Sequence, residues 1–107
     1  MKMKNLYKED NGFICGKNVY DYIEYCNENN LSVIGVEGFI CNEGEIKPDM
    51  DCILDLSELK VDNWEEYKKQ SLKIVRDFLK QQELSDKNDR QYDFVLLTKN
   101  DYDKMNE

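Results

Sequence analysis

The stretch of sequence that decides the fold spans residues 31–56 and reads LSVIGVEGFICNEGEIKPDMDCILDL. Its first part, Leu31 to Cys41, is rich in valine and isoleucine, which predicts a β-strand. Gly35 and Gly38 interrupt this strand, and glycines in such positions predict a bulge, a bend or a close approach by another element. The segment Asn42-Glu43-Gly44 then predicts a turn, so the whole stretch is typical of a β-hairpin.

The return arm of the hairpin begins at Glu45-Ile46-Lys47 and is followed at once by Pro48. Because proline cannot donate to a strand ladder, this arm must lie at a sheet edge there or break before the next strand. From residue 49 the sequence alternates, which predicts a strand with two different faces. One face carries Met50, Cys52, Leu54 and Leu56, and the other carries Asp49, Asp51, Ile53 and Asp55. We therefore expect three carboxylates to line one strand face.

A first helix is predicted before the hairpin. It begins after Asn18, a favourable N-cap residue, and ends within Asn27 to Asn30, where asparagine tolerates left-handed geometry. Its apolar stripe follows helical spacing and consists of Val19, Tyr22, Ile23 and Cys26. Tyr20 and Tyr25 fall on opposite flanks of this stripe, so we expect both to be partly exposed.

A second helix is predicted after the hairpin, from about Asn63 to Gln82. Asp62 followed by Glu65 has the form of a capping box at its start. The apolar stripe consists of Trp64, Tyr67, Ser71, Ile74, Val75 and Phe78. We expect Trp64 and Phe78 to be largely buried, because both lie within this stripe.

Shorter elements complete the chain. The apolar run Phe13-Ile14-Cys15 predicts a short strand, and Tyr92 to Thr98 predicts a longer one. Within the longer strand, Phe94 to Leu97 are consecutive apolar residues, which predicts burial on both faces. The tail, Lys99 to Glu107, is expected to form one last helical turn.

These elements predict an α+β fold in the order (β)-α-β-β-β-α-β. Two helices pack on one face of a mainly antiparallel sheet of about four to five strands. A chain of 107 residues has room for one domain, so we expect residues 1–107 to form a single domain. Residues 1–10 are polar, and we expect them to be a flexible N-terminal segment.

The negative charge of the chain is concentrated in one segment. The formal net charge is −8, and residues 43–66 account for −7 of it, with nine acidic residues against Lys47 and Lys60. A concentrated field of one sign attracts a basic partner and repels nucleic acid and anionic membranes. The charge pattern therefore favours a protein-binding function and argues against nucleic-acid or membrane binding.

Candidate catalytic and metal-binding residues are few. The chain contains four cysteines and no histidine, and the cysteines form no C-x-x-C pair, which favours buried thiols over a zinc site or a disulfide framework. Asp49, Asp51 and Asp55 invite a divalent-metal hypothesis, but the calcium-loop pattern fails at Ile53 and Leu54. Glu37, between apolar neighbours, is expected to point out from a half-exposed strand. We expect no enzymatic activity and no cofactor.

Four segments together resemble the pattern of small bacterial immunity proteins of polymorphic or contact-dependent toxin systems. They are Val33 to Phe39, Pro48 to Asp51, Asp55 to Ser57 and Phe94 to Leu97. The resemblance implies an α+β domain that binds a cognate toxin domain, often a nuclease, inside the producing cell and blocks it. It implies no particular interface residue.

Together, charge and resemblance lead us to expect an immunity protein that neutralises a basic toxin domain and is a monomer when free. The partner-binding residues predicted from the charge pattern are Asp49, Asp51, Asp55, Glu58, Asp62 and Glu66, with Tyr20 and Tyr25 as apolar anchors. A DNA-mimic or regulatory module that binds a nucleic-acid-binding protein is an alternative function, and a metal-dependent enzyme is a second one. The chain has no signal-peptide pattern and no run of roughly 20 apolar residues, so we expect a cytoplasmic protein.

Overall fold

The protein is described by a computed structural model covering residues 13–42, 44–84 and 90–106. The expected flexible segment, residues 1–10, and the turn residue Glu43 lie outside the described residues. The elements are β1 (Ile14–Cys15), a 3-10 turn (Gly16–Asn18), α1 (Val19–Glu28), β2 (Leu31–Asn42), β3 (Glu45–Asp55), α2 (Trp64–Leu84), β4 (Arg90–Thr98) and α3 (Lys99–Met105). The predicted α+β class is confirmed.

The four described strands form one antiparallel sheet in the order β1-β4-β2-β3. Strand β3 is continuous through Pro48 and lies at the edge of the sheet, which was one of the two arrangements that the proline allowed. The predicted order therefore contained one strand too many, because the return arm and the alternating segment are a single strand. No helix among the described residues has the length and apolar character needed to cross a membrane.

A large bulge interrupts the pairing of β2 with β3. Glu37 pairs with Ile53 and Phe39 pairs with Pro48, so Gly38 alone is opposite residues 49–52. A bulge of this kind shifts the alternation of side chains along the strand. The two predicted faces of β3 are confirmed for residues 51–56 but are wrong for residues 49 and 50. Met50, which was placed with Cys52, is 75% exposed, and Asp49, which was placed with Asp51, lies against the interior.

Helix α1 agrees closely with the sequence prediction. Its buried residues are Val19, Tyr22, Ile23 and Cys26. Asn30, just after the helix, has a φ of 57°, the left-handed geometry expected for this segment. Its side-chain oxygen accepts hydrogen bonds from Trp64 Nε1 at 2.9 Å and Lys68 Nζ at 3.2 Å. The turn after α1 is therefore tied to the start of α2.

Helix α2 begins one residue later than the predicted capping box implied. Asn63, and not Asp62, accepts the hydrogen bond from the backbone nitrogen of Glu66 at 2.9 Å. Trp64 is buried as predicted, and Phe78 is partly buried and packs against the main core. Among the residues of α2 whose side chains are described, 64–82, the buried ones are Trp64, Tyr67, Ser71, Leu72, Val75 and Leu79. The buried side of the helix therefore includes two leucines that the predicted stripe left out.

A third helix extends the single turn expected for the tail. Thr98 and Asp101 form a capping box at its start. The ring of Tyr102 packs on Trp64 and Tyr67 at centroid distances of 5.7 and 5.2 Å. Helix α3 thereby contributes to a small second apolar cluster beside the main core.

The main core lies between the sheet and helices α1 and α2. Strand β4 contributes Tyr92 and Phe94 to it, and both are buried. Val95 points the other way and is 53% exposed, so the prediction that this run is buried on both faces is wrong. Helices α1 and α2 pack on one face of the sheet, and the described residues leave much of the opposite face open to solvent.

Candidate partner-binding surface

Three strands present side chains on the sheet face that the helices do not cover, which we call the open face. The pairing register places Gly35 between Asp55 and Val95, and Glu37 between Ile53 and Asp93. Asp51 is exposed, Cys52 is buried and Ile53 is exposed, so the side chains of β3 alternate from residue 51 onward and Asp51 shares this face with Ile53 and Asp55. The open face consists of Gly35, Glu37, Asp51, Ile53, Asp55, Asp93 and Val95.

A shallow groove of about 400 Å³ lies at the centre of the open face. Two of the side chains that line it are apolar and well exposed: Val95 at 53% and Ile53 at 44%. Gly35 also lines the groove and has no side chain of its own. Glu37 and Asp55 add carboxylates to this lining, so the groove combines an apolar surface with negative charge.

The carboxylates of the open face carry charge that the described part of the chain does not neutralise. Within residues 13–42, 44–84 and 90–106, no lysine or arginine forms a salt bridge with Glu37, Asp51 or Asp55. Asp55 accepts a hydrogen bond from the backbone nitrogen of Ser57 at 2.9 Å, and this bond holds the pKa of Asp55 below its ordinary value. Asp55 therefore stays ionised to a lower pH than an ordinary aspartate.

Asp49 belongs to a different environment. Its Oδ2 atom accepts from Arg90 Nη2 at 2.7 Å, and the two side chains are only 14% and 6% exposed. Its Oδ1 atom accepts from the backbone nitrogen of Asp51 at 3.0 Å. The bulge turns this carboxylate inward, where it compensates a buried guanidinium, and the expectation that Asp49 lines the same face as Asp51 and Asp55 is wrong.

The outer edge of β3 is poorly suited to pairing with another strand. Pro48 has no backbone N–H, and the N–H of Asp51 is already bonded to the Asp49 side chain. Proline and bulges are devices by which sheet edges avoid adding a further strand. A partner that docks here would therefore meet the open face more readily than the edge.

The other residues predicted from the charge pattern lie elsewhere. Glu58 and Asp62 are exposed in the connection between β3 and α2. Glu66 is on α2, where it accepts from Gln70 Nε2 at 3.2 Å. Tyr20 and Tyr25 are partly buried on α1 and pack against the main core, so their expected partial exposure is confirmed. Of the predicted set, the open face brings together Asp51 and Asp55, and a binding role for the others stays a prediction.

Sequence reasoning did not place five residues of the open face in a binding site: Gly35, Glu37, Ile53, Asp93 and Val95. For Ile53 and Glu37 a signal existed, because the alternation placed Ile53 with Asp51 and Asp55, and Glu37 was expected to point outward. For Val95 the signal was misleading, because an apolar run predicts a strand that is covered on both faces. The pairing of three strands, which a single sequence does not display, brings these residues together.

A second groove, of about 850 Å³, lies between α1 and α2. Its charges are mixed and largely paired: Arg76 donates to Glu24 at 2.6 Å, and Lys73 donates to Asp77 at 3.1 Å. Opposite charges that neutralise one another do not attract a partner of either sign over distance. This groove therefore lacks the single-sign field that distinguishes the open face.

The cysteines that the structure describes fit the expectation of core residues in two cases. Cys26 and Cys52 are buried, and Cys15 is half-buried. Burial raises the pKa of Cys26 to about 12, so its thiol is unreactive at neutral pH. The side chain of Cys41 lies outside the described residues. Among the described residues, no three histidine, cysteine, aspartate or glutamate side chains are grouped so that they would hold a metal ion.

No family model, curated protein or solved structure matches the chain. The open face is therefore interpreted from its own geometry and charge.

Proposed function

We propose that this chain is an immunity protein, a domain that binds a basic toxin domain through the open face and neutralises it. The observation that carries the proposal is that one surface, which the described residues leave open, combines the exposed apolar side chains Ile53 and Val95 with the carboxylates of Glu37, Asp51 and Asp55. Apolar surface supplies affinity on binding, and charge supplies rate and selectivity.

The charge argument favours a basic partner. Carboxylates that are close together on adjacent strands repel one another in the free protein, and like charges in such positions are destabilising. A basic partner relieves this repulsion, and the net charge of −8 accelerates the encounter. Rapid association, which reaches about 10⁸ M⁻¹s⁻¹ for steered pairs at low salt, suits an inhibitor of a lethal protein.

The resemblance of four sequence segments to immunity proteins of toxin systems supports the same function. A toxin that cleaves nucleic acid must present a basic groove to its substrate, and an acidic inhibitor is complementary to such a groove. The proposed role is inhibition by binding, with no chemical step carried out by this chain.

The direct test is to look immediately upstream of this gene for a large secreted protein with a variable C-terminal domain, and to use that domain as the toxin domain. Co-expression of the two chains should restore growth to cells that the toxin domain alone kills, and the purified chains should form a stoichiometric complex. If the toxin domain is active and the two purified chains do not associate at micromolar concentrations, the proposal is wrong.

A further prediction concerns the charges of the open face. Replacing Asp51 and Asp55 together by asparagine should slow association with the toxin domain on the order of tenfold at low salt and flatten the salt dependence of the rate. Asparagine keeps the side-chain oxygen that accepts from Ser57, so the local fold is preserved. Stopped-flow or biosensor kinetics at several salt concentrations measure the effect.

The matched control for this prediction removes two charges from the helical side, with Asp21 replaced by asparagine and Glu28 by glutamine. Both residues are exposed, and the control has the same net charge as the open-face variant. If the two double variants slow association equally, only net charge matters. If only the control slows association, the interface must be sought on the helical face, and if neither variant changes binding, the open-face charges take no part in it.

A further inference from the structure

We propose that the groove of the open face accommodates one arginine side chain from the partner. The aliphatic part of the arginine lies against Ile53 and Val95 above Gly35, and its guanidinium lies between the carboxylates of Glu37 and Asp55. The inference rests on the proposed function, because it specifies the group of the toxin domain that the open face recognises.

The shape of the groove supports this occupant. Gly35 separates Asp55 on β3 from Val95 on β4, and its missing side chain leaves space between them. A Cβ atom built on Gly35 would lie 3.5 Å from Leu54 O and 3.8 Å from Val95 Cβ, which are ordinary contact distances. The floor of the groove can therefore be covered by a small apolar group without disturbing the strands around it. Long side chains with an aliphatic stem and a charged end commonly cover apolar surface in this way.

The positions of the charges favour arginine. Glu37 on β2 pairs with Ile53 on β3, and Asp55 follows Ile53 by two residues on β3. Glu37 and Asp55 are therefore diagonal neighbours across the β2–β3 pair. Diagonal neighbours have Cα atoms about 7–8 Å apart, a spacing that side chains can bridge. A guanidinium has five N–H donors in a planar arrangement and can donate to two carboxylates at once, whereas a lysine ammonium is a compact point charge.

The other possible occupants fit less well. A second copy of the chain would bring one acidic face against another, and each copy has a net charge of −8. A partner strand added at the β3 edge would meet Pro48 and the hydrogen bond from Asp51 to Asp49, and both interfere with pairing. A neutral apolar segment would leave the Glu37 and Asp55 carboxylates without compensating charge.

The test does not require the toxin. The full-length chain, labelled with ¹⁵N, is titrated with N-acetyl-arginine-N-methylamide and followed by two-dimensional NMR. The neutral isostere N-acetyl-citrulline-N-methylamide and the lysine analogue are titrated in parallel. We expect the amide signals of Gly35, Ile53 and Val95 to shift with the arginine probe, the lysine probe to bind more weakly, and the citrulline probe to shift them little.

Variants of the chain locate the binding. Glu37→Gln and Asp55→Asn should each weaken binding of the arginine probe about threefold, as expected for an exposed ion pair. Gly35→Ala keeps both carboxylates and should abolish the shifts, because the methyl group occupies the floor of the groove. Glu28→Gln, an exposed change on α1, is the matched control and should have no effect on the probe.

Any of four outcomes would overturn the inference. The arginine probe could shift signals at all acidic surfaces alike, the citrulline probe could bind equally well, or Glu28→Gln could weaken binding as much as Glu37→Gln. Concentration-dependent shifts of Gly35 and Val95 in the free chain would identify a second copy as the occupant and would also overturn it.

The same variants separate this inference from the proposed function. If the toxin domain binds Gly35→Ala as tightly as the natural chain, the function stands and the arginine site is wrong. If the arginine probe binds the groove but no toxin domain associates with the chain, the site stands and the function is wrong.

Discussion

Replacing Asp49 by alanine is expected to lower the free energy of unfolding by about 3 to 5 kcal/mol, the usual cost of removing one partner of a buried ion pair. Arg90 is only 7% exposed, and its Nη2 atom lies 2.7 Å from Asp49 Oδ2. Its Nε and Nη1 atoms have no hydrogen-bond partner among the described residues. Without Asp49, the guanidinium would remain buried with its charge uncompensated, so a large part of a small domain's stability would be lost.

Urea denaturation of the two single variants Asp49→Ala and Asp51→Ala measures this effect. Asp51 is exposed, so its replacement should change the stability by no more than about 0.5 kcal/mol. Adding Arg90→Met to the Asp49→Ala variant should restore much of the stability, because an apolar side chain needs no compensating charge. Equal stabilities of the two single variants would show that the Asp49–Arg90 pair does not stabilise the fold.

Replacing Gly38 by alanine is expected to lower the free energy of unfolding by about 3 kcal/mol, at the upper end of the usual cost of overpacking a core. A Cβ atom on Gly38 would overlap Cys52 Sγ, would lie 2.9 Å from Cys52 Cβ and would lie 3.4 Å from Arg90 Nη1. Cys52 is fully buried and Arg90 is nearly so, which leaves little room for either to move. The bulge would have to open to admit the methyl group.

Gly35→Ala is the matched control for this second prediction. It places the same methyl group on the same strand, but its nearest contacts are 3.5 Å and longer, and its cost should be within about 1 kcal/mol of zero. Thermal or urea denaturation of the two variants gives the comparison directly. Cys52→Ala in the Gly38→Ala background should recover part of the loss, since it removes the sulfur that the methyl group meets. Similar costs at both glycines would mean that the close approach at Gly38 is not a constraint.

Gly38 and Asp49 both belong to the bulge between β2 and β3. Gly38 admits the Cys52 side chain, and the bulge opposite Gly38 directs Asp49 inward to Arg90. After the bulge the side chains of β3 alternate regularly, and the open face carries Asp51, Ile53 and Asp55. The same local irregularity therefore supplies a buried ion pair on one side of the sheet and leaves exposed carboxylates on the other.

Local patterns in the sequence were sufficient for several elements. The stripe Val19, Tyr22, Ile23 and Cys26 predicted the buried side of α1, since helical spacing alone decides which residues share a face. The glycines predicted the irregular pairing of β2, and Pro48 restricted its strand to an edge or a break. In each case the physical cause acts within a few residues, so it is present in the sequence.

The tertiary structure decided the rest. Whether Asp49 points inward depends on the bulge and on Arg90, which is 41 residues away in the chain. Whether Val95 is covered depends on which layers pack on the sheet. A run of apolar residues does not show whether its strand is covered on one face or on both. The meeting of Glu37, Asp55 and Val95 depends on the register of three strands, which is fixed by long-range pairing and not by any local pattern.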